Sequence, residues 1–188
     1  HGAVILAAGG SLRLGRPKQT LTHEGETLVH RAARCAVETD PVETVIVVGA
    51  AADEVFAAAA DLRVRRVDCP DWMDGMGASL RAGLAALPTA CDGTLIVLCD
   101  QPALDRAHLA ALVDAWRAAP ERAAASAYAG KIGVPALLPR TWFDAATRTG
   151  GDRGARALFA QRRGDVVAIA NEALAADVDV PDDLARLR

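Results

Sequence analysis

The apolar run Val4-Ile5-Leu6 ends abruptly in Ala7-Ala8-Gly9-Gly10, and a basic loop carrying Ser11, Arg13, Arg16 and Lys18 follows at once. Strand, glycine turn, then cations is how a chain builds a cradle for a polyphosphate. Glycine lets backbone N–H groups approach the oxygens, and Arg and Lys neutralise the charge. Two common phosphate loops do not fit. Gly10 and Gly15 have the Walker A spacing, but Arg16 follows, Lys18 comes two residues late, and Gln19 stands where a Ser or Thr would hold the metal. The dinucleotide fingerprint G-x-G-x-x-G fails as well, because Gly9 and Gly10 are adjacent. Pro17 restricts Arg16 to extended geometry and fixes its own φ, so Lys18 is placed at reduced entropic cost.

Further apolar runs recur along the chain. Strands are expected at 3–7, 44–48, 63–67, 94–99, 122–127 and 165–170, and helices at 27–39, 52–60, 78–87, 105–118, 152–162 and 181–187. Residues 129–156 read as the least regular part, a substrate-facing excursion. The β-branched runs are continuous rather than alternating, which suits strands buried on both faces of a mostly parallel sheet. Alternating strands and helices then give an α/β fold, a three-layer α/β/α arrangement with right-handed crossovers. Ligands of such sheets bind beyond the carboxyl ends of the strands, near a switch in strand order. No internal repeat or Ser/Gly/Pro linker divides the sequence, so a single domain over 1–188 is expected.

The 188 residues carry 21 basic and 24 acidic side chains, intermixed, for a net charge of −3. That balance creates no field for nucleic acid or an anionic membrane. No apolar run approaches the ~18 residues of a membrane span, and no signal peptide is seen, so a cytoplasmic location is expected. Cys35, Cys69, Cys91 and Cys99 are irregularly spaced and form no C-x-x-C pair, which fits reduced thiols.

Several later segments carry chemistry. Asp100, in Leu98-Cys99-Asp100-Gln101-Pro102, ends an apolar strand, where a carboxylate is costly unless paired or metal-bound. It suits either a magnesium ligand or a cap on the following turn. In Ala176-Asp177-Val178-Asp179-Val180-Pro181-Asp182-Asp183, Asp177 and Asp179 share a side if the segment is extended, while Pro181 and the acids after it suit a helix start. Gly75-Met76-Gly77-Ala78-Ser79-Leu80-Arg81 places glycines where a flat base could approach, with Ser79 and Arg81 as hydrogen-bonding groups; it also reads as a glycine-entered helix with Arg81 in solvent. Arg153 and Arg156 flank Gly154 near an expected helix start, which suits a second phosphate-bearing substrate, and Asp152 equally suits the N-cap.

Five blocks, taken in order, resemble the MobA-like nucleotidyltransferases and come nearest to their molybdenum-cofactor cytidylyltransferase branch. They are Leu6-Ala7-Ala8-Gly9-Gly10-Ser11 through Arg13 to Lys18; Gly75 to Leu84; Asp100-Gln101-Pro102; Gly133-Val134-Pro135 to Arg140 with Gly151-Asp152-Arg153-Gly154-Ala155-Arg156; and Ala176-Asp177-Val178-Asp179-Val180-Pro181-Asp182-Asp183-Leu184. Three positions depart from the family pattern: Leu14 replaces Met, Val180 replaces Thr, and Val134 replaces a frequent His. The resemblance implies a Rossmann-like nucleotidyltransferase domain that uses Mg²⁺ to join a nucleoside monophosphate from an NTP to the phosphate of molybdopterin or the molybdenum cofactor, releasing pyrophosphate. Leu6, Ala7, Ala8, Gly9, Gly10, Ser11, Arg13, Lys18, Gly77, Ser79 and Arg81 would bind the nucleotide, with Arg13, Lys18 and Asp100 catalytic. Asp100 and Asp179 would hold the metal. Gly133, Pro135, Asp152, Arg153 and Arg156 would bind the acceptor. Ala8 favours CTP over GTP. A molybdoenzyme or its chaperone is an implied further partner. The alternatives are guanylyl transfer, transfer to a sugar or polyol phosphate, and a cofactor-binding maturation chaperone without turnover.

Overall fold

The computed structural model describes residues 1–11, 14–148, 154–180 and 182–183. From the N-terminus run β1 (Gly2–Leu6), a two-residue hairpin β2 (Thr22–His23) and β3 (Glu26–Thr27), α1 (Leu28–Val37), β4 (Thr44–Val48) and α2 (Ala52–Ala57). β5 (Arg65–Asp68), α3 (Met76–Ala86), β6 (Gly93–Leu98), α4 (Arg106–Ala118) and β7 (Ala123–Tyr128) follow. The chain then forms β8 (Lys131–Pro139), α5 (Phe143–Arg148), α6 (Gly154–Gln161) and β9 (Val166–Ala170). Seven strands make one sheet in the order β5-β4-β1-β6-β8-β7-β9, parallel throughout except for β8.

The layering follows from alternation along buried strands. In β1 and the turn after it, Ala3, Ile5 and Ala7 face a core that includes Val29 and Ala33 of α1 and Leu109 and Leu112 of α4. Val4, Leu6 and Ala8 face the opposite core, with Leu80 and Leu84 of α3 and Leu158 and Phe159 of α6. Helices therefore cover both faces, as the sequence pattern requires. The order reverses between β1 and β6, and the crevice beyond their carboxyl ends is where ligands of such sheets bind.

β8 is the main departure from expectation, since the described residues at 131–148 form this strand and α5 rather than an irregular excursion. Gly133, Pro135 and Pro139 argue against a strand from sequence. The structure accommodates them by a bulge. Ala136 pairs with Ala125, but the next partner of Ser126 is Gly133, so Val134 and Pro135 stand outside the ladder where a missing N–H costs nothing. The expected strand at 63–67 lies at Arg65–Asp68, and the expected helix at 78–87 begins earlier, at Met76. Its N-cap, Gly75, has φ +95°, a conformation side-chain-bearing residues rarely adopt. The helix expected at 181–187 lies largely outside the described residues.

α3 lies directly on the sheet because Gly83 has no side chain. A Cβ there would collide with Val4 and come within 3.0 Å of Val47. Gly83→Ala is therefore expected to destabilise the fold by about 1–3 kcal/mol, read by urea denaturation.

The hairpin is tied to α1 through Glu26. Its carboxylate accepts two hydrogen bonds from Arg34, at 2.9 and 3.0 Å, and contacts His30. The Arg34 hydrogen bonds hold this carboxyl down to about 2, against partial burial and with help from His30. The ordinary value is 4.5, so this stabilisation is full above that pH and disappears as pH falls through about 2. Glu26→Gln should lower stability at neutral pH, and the difference from wild type should close on acidification toward pH 2.

Candidate active site

Three segments distant in sequence meet at the carboxyl edge of β1 and β6. The Lys18 ammonium lies 2.8 Å from Asp100 Oδ2 and 2.7 Å from Asp179 Oδ1. Lys18 opens a short 3-10 turn, Lys18–Thr20, behind Pro17 at φ −61°. Asp100 lies just past β6, and the backbone N–H of Val178 donates to its carbonyl at 2.9 Å, which pins the Asp177–Asp179 segment beside it. Asp183 Oδ2 accepts from the backbone N–H groups of Asp179 and Val180, so this carboxylate orders the turn while that of Asp179 reaches Lys18. Burial, the largest single influence, pulls the Lys18 pKa down. The two carboxylates outweigh it and leave the ammonium above its ordinary value. Asp100 Oδ1 is buried and has no hydrogen-bond partner among the described residues.

The glycine loop is held from inside by Gln19, 3% exposed. Its side-chain N–H groups donate to the carbonyls of Ala7, at 2.9 Å, and Gly9, at 2.8 Å. Ser11, at φ +48°, accepts from the Lys18 backbone N–H at 3.0 Å. The residue that excluded a Walker loop thus serves as the brace of a different one.

Two clefts open on either side of the Lys18 cluster. The first, about 480 Å³, is lined by the glycine loop (Leu6, Ala8, Gly9, Ser11) and by Ser79, with Trp72, Met73, Gly75 and Met76 on the remaining wall. The second, about 440 Å³, is lined mostly by apolar groups, among them Leu80, Tyr128, Val134 and Leu174, with Asp177. Both share Lys18, Asp100 and Asp179. The wall of the second cleft is shaped by the β8 bulge. Tyr128 Oη donates to the Val134 carbonyl at 2.8 Å, and Ser126 Oγ donates to that of Pro135 at 2.6 Å. Because Ser126 spends its single proton there, His108 Nε2, 2.8 Å away, must be the donor to Ser126 Oγ. Burial lowers the His108 pKa and keeps that ring neutral.

Of the residues singled out from sequence, the structure gathers Leu6, Ala8, Gly9, Ser11, Lys18, Ser79, Asp100 and Asp179 around the first cleft. Ala7 sits just beneath, held by Gln19, and Gly10 abuts Trp72. Gly77 is buried in α3. Arg81 is not brought to the cleft. Residues two apart on a helix point in different directions, and with Ser79 inward the Arg81 guanidinium lies outside, on the Thr147 carbonyl at 3.3 Å. Gly133 and Pro135 are buried in β8, and Val134 between them lines the second cleft. Arg13, Asp152 and Arg153 lie outside the described residues, as does the Arg156 side chain, although its backbone belongs to α6. Sequence reasoning assigned no role to Gln19 as a brace, or to Trp72, Met73, Tyr128 and Leu174. The one available signal for Trp72 was its placement in Asp71-Trp72-Met73-Asp74, a polar setting for one of three tryptophans.

Comparison with known proteins gives a consistent result. Residues 3–166 match the MobA-like NTP transferase domain. The chain is 37% identical to nicotine blue oxidoreductase of Paenarthrobacter nicotinovorans, covering 98% of this chain and 94% of that protein. Its structure is similar to that of Rv0371c from Mycobacterium tuberculosis H37Rv, with a TM-score of 0.86, 32% identity, and 99% and 96% of the two chains covered. It also resembles a manganese complex of that protein, with a TM-score of 0.79, 30% identity and the same coverage. Among the described residues, no helix is long and apolar enough to cross a membrane.

Removing the brace tests the loop's construction. Gln19→Leu leaves the buried Ala7 carbonyl unpaired and the exposed Gly9 carbonyl to water, and a loss of about 1–3 kcal/mol is expected, visible as a lowered Tm.

Proposed function

Because this chain belongs to the MobA-like NTP transferase family, we propose that it transfers a nucleoside monophosphate from an NTP, CTP by preference, to the phosphate of molybdopterin or the molybdenum cofactor. The observation that carries this reading is the Lys18–Asp100–Asp179 cluster at the junction of two clefts. A two-substrate transfer needs a donor site and an acceptor site that meet at the reacting phosphorus.

In this reading the first cleft takes the donor. The Gly9-Gly10 backbone and Arg13 receive the β- and γ-phosphates, and Lys18 turns from the carboxylates to the α-phosphate. An acceptor phosphate oxygen from the second cleft attacks the α-phosphorus in line. The new P–O bond forms as the bond to the β-phosphate oxygen breaks, and pyrophosphate leaves. Little covalent help is required of the protein; placing groups and neutralising charge are the main contributions. Ser79 borders the donor side, Gly77 is buried in α3 beside it, and Arg81 steadies α3 from outside. Gly133, Pro135, Asp152, Arg153 and Arg156 are assigned to the acceptor.

The donor set suits a hard divalent cation. Asp100 Oδ1 is a buried oxygen lacking a hydrogen bond among the described residues, and Asp100 and Asp179 already converge on a cation. These two carboxylates would hold Mg²⁺, which when bound supplies charge neutralisation to the donor and acceptor phosphates. The manganese complex of Rv0371c supports a divalent metal in a similar protein.

A second reading comes from the oxidoreductase name of the Paenarthrobacter relative, with a redox substrate in the same cleft. The lack of a dinucleotide fingerprint after β1 weighs against it. Pyrophosphate release from CTP or GTP, with Mg²⁺ or Mn²⁺ and with or without molybdopterin, separates the possibilities. Acceptor-dependent release supports transfer. Nucleotide binding without release under every acceptor favours a maturation chaperone. Lys18→Ala and Asp100→Ala are each expected to reduce release by about 10²–10³-fold while circular dichroism shows the fold retained. Near-full activity in either variant would overturn the assignment.

A further inference from the structure

The donor cleft is lined by two chemically different sets of residues. One holds Gly9, Ser11, Lys18 and the carboxylates; the other is built from Trp72, Met73 and Met76. A nucleotide has the same polarity, a charged tail and a flat apolar base. We propose that the Trp72 indole is the stacking surface for the base, a role that rests on reading this cleft as the nucleotide site.

The indole is set in place by two glycines. A Cβ on Gly49, at the end of β4, would lie 2.7 Å from Trp72 Cγ and 2.7 Å from the Ala8 carbonyl. A Cβ on Gly10 would lie 3.0 Å from Cη2 and 3.1 Å from Cζ3 of the same ring. The ring therefore runs from the β4 end to the glycine loop, fitted against both where any side chain would push it away. A ring held this closely loses little freedom when a ligand covers it, which favours binding. The other two tryptophans are in the core: Trp116 is 7% exposed and Trp142 2%. Beside Trp72, Met73 is 78% exposed at the cleft, an exception among the large apolar side chains. A polarizable thioether next to an aromatic ring suits a heteroaromatic partner.

Stacking is tolerant of base identity, because every base has a π-face. Trp72 should therefore set affinity for the nucleotide without choosing between CTP and GTP. The test uses the purified protein with Mg²⁺ and two independent readouts, equilibrium dialysis and tryptophan fluorescence. With two tryptophans buried in the core, quenching on nucleotide addition reports Trp72. Wild type should bind CTP by dialysis and show quenching with the same Kd. Trp72→Phe should bind within a few-fold of wild type but lose the quench. Trp72→Leu and Trp72→Ala should bind CTP and GTP about ten- to a hundredfold more weakly, by similar factors for the two. A merely structural apolar role would be rescued by Leu as well as by Phe, and that result overturns the proposal. Nucleotide bound by dialysis without quenching, or with unchanged Kd in Trp72→Ala, overturns it too and leaves the transferase reading standing. No binding of either nucleotide to wild type removes both.

Discussion

A half-buried ammonium held between two carboxylates is the contact around which the site is arranged. Lys18 reaches Asp100 and Asp179 across 82 and 161 positions of sequence. Each of these charges is partly withdrawn from water, and its opposite partners offset that cost. The glycine loop, the end of β6 and the C-terminal segment must therefore arrive at one point. Hydrogen bonds from Gln19 to the loop and from Val178 to Asp100 show how firmly each is held there. The same convergence makes the site, since both clefts open onto it.

The antiparallel strand β8 has a comparable role on the other side. By pairing with β6 and β7 it extends the sheet, and by bulging at Val134-Pro135 it bends one residue out toward the second cleft. The carbonyls freed by the bulge are taken up by Tyr128 and Ser126, with neutral His108 completing the chain. A buried polar network of this kind is tolerable because its members are satisfied. Its effect is a rigid wall whose shape is set by hydrogen bonds rather than by packing alone.

Much of the fold was legible because periodicity is a local property. The buried runs 44–48 and 94–99 stand close to β4 and β6, and glycines at the end of β1 indicated the cradle. β8 was hidden because its prolines and Gly133 carry the signature of a loop, and only pairing partners reveal that they fall at a bulge. Arg81 shows the reverse error of emphasis. A motif places Ser79 and Arg81 side by side on paper, while helix geometry turns them apart. Gln19 was noticed only for what it was not, and its brace could not be seen without the carbonyls it bonds.

The sequence by itself determined the alternation of buried strands and helices, the glycine turn after β1, and the residue types available for phosphate chemistry. These depend on neighbours a few positions apart. Tertiary structure alone decided that Lys18 meets Asp100 and Asp179, that β8 runs antiparallel inside the sheet, and that Trp72 lies against Gly10 and Gly49. Such contacts join segments tens to more than a hundred residues apart, and they exist only once the sheet order brings those segments to the same edge.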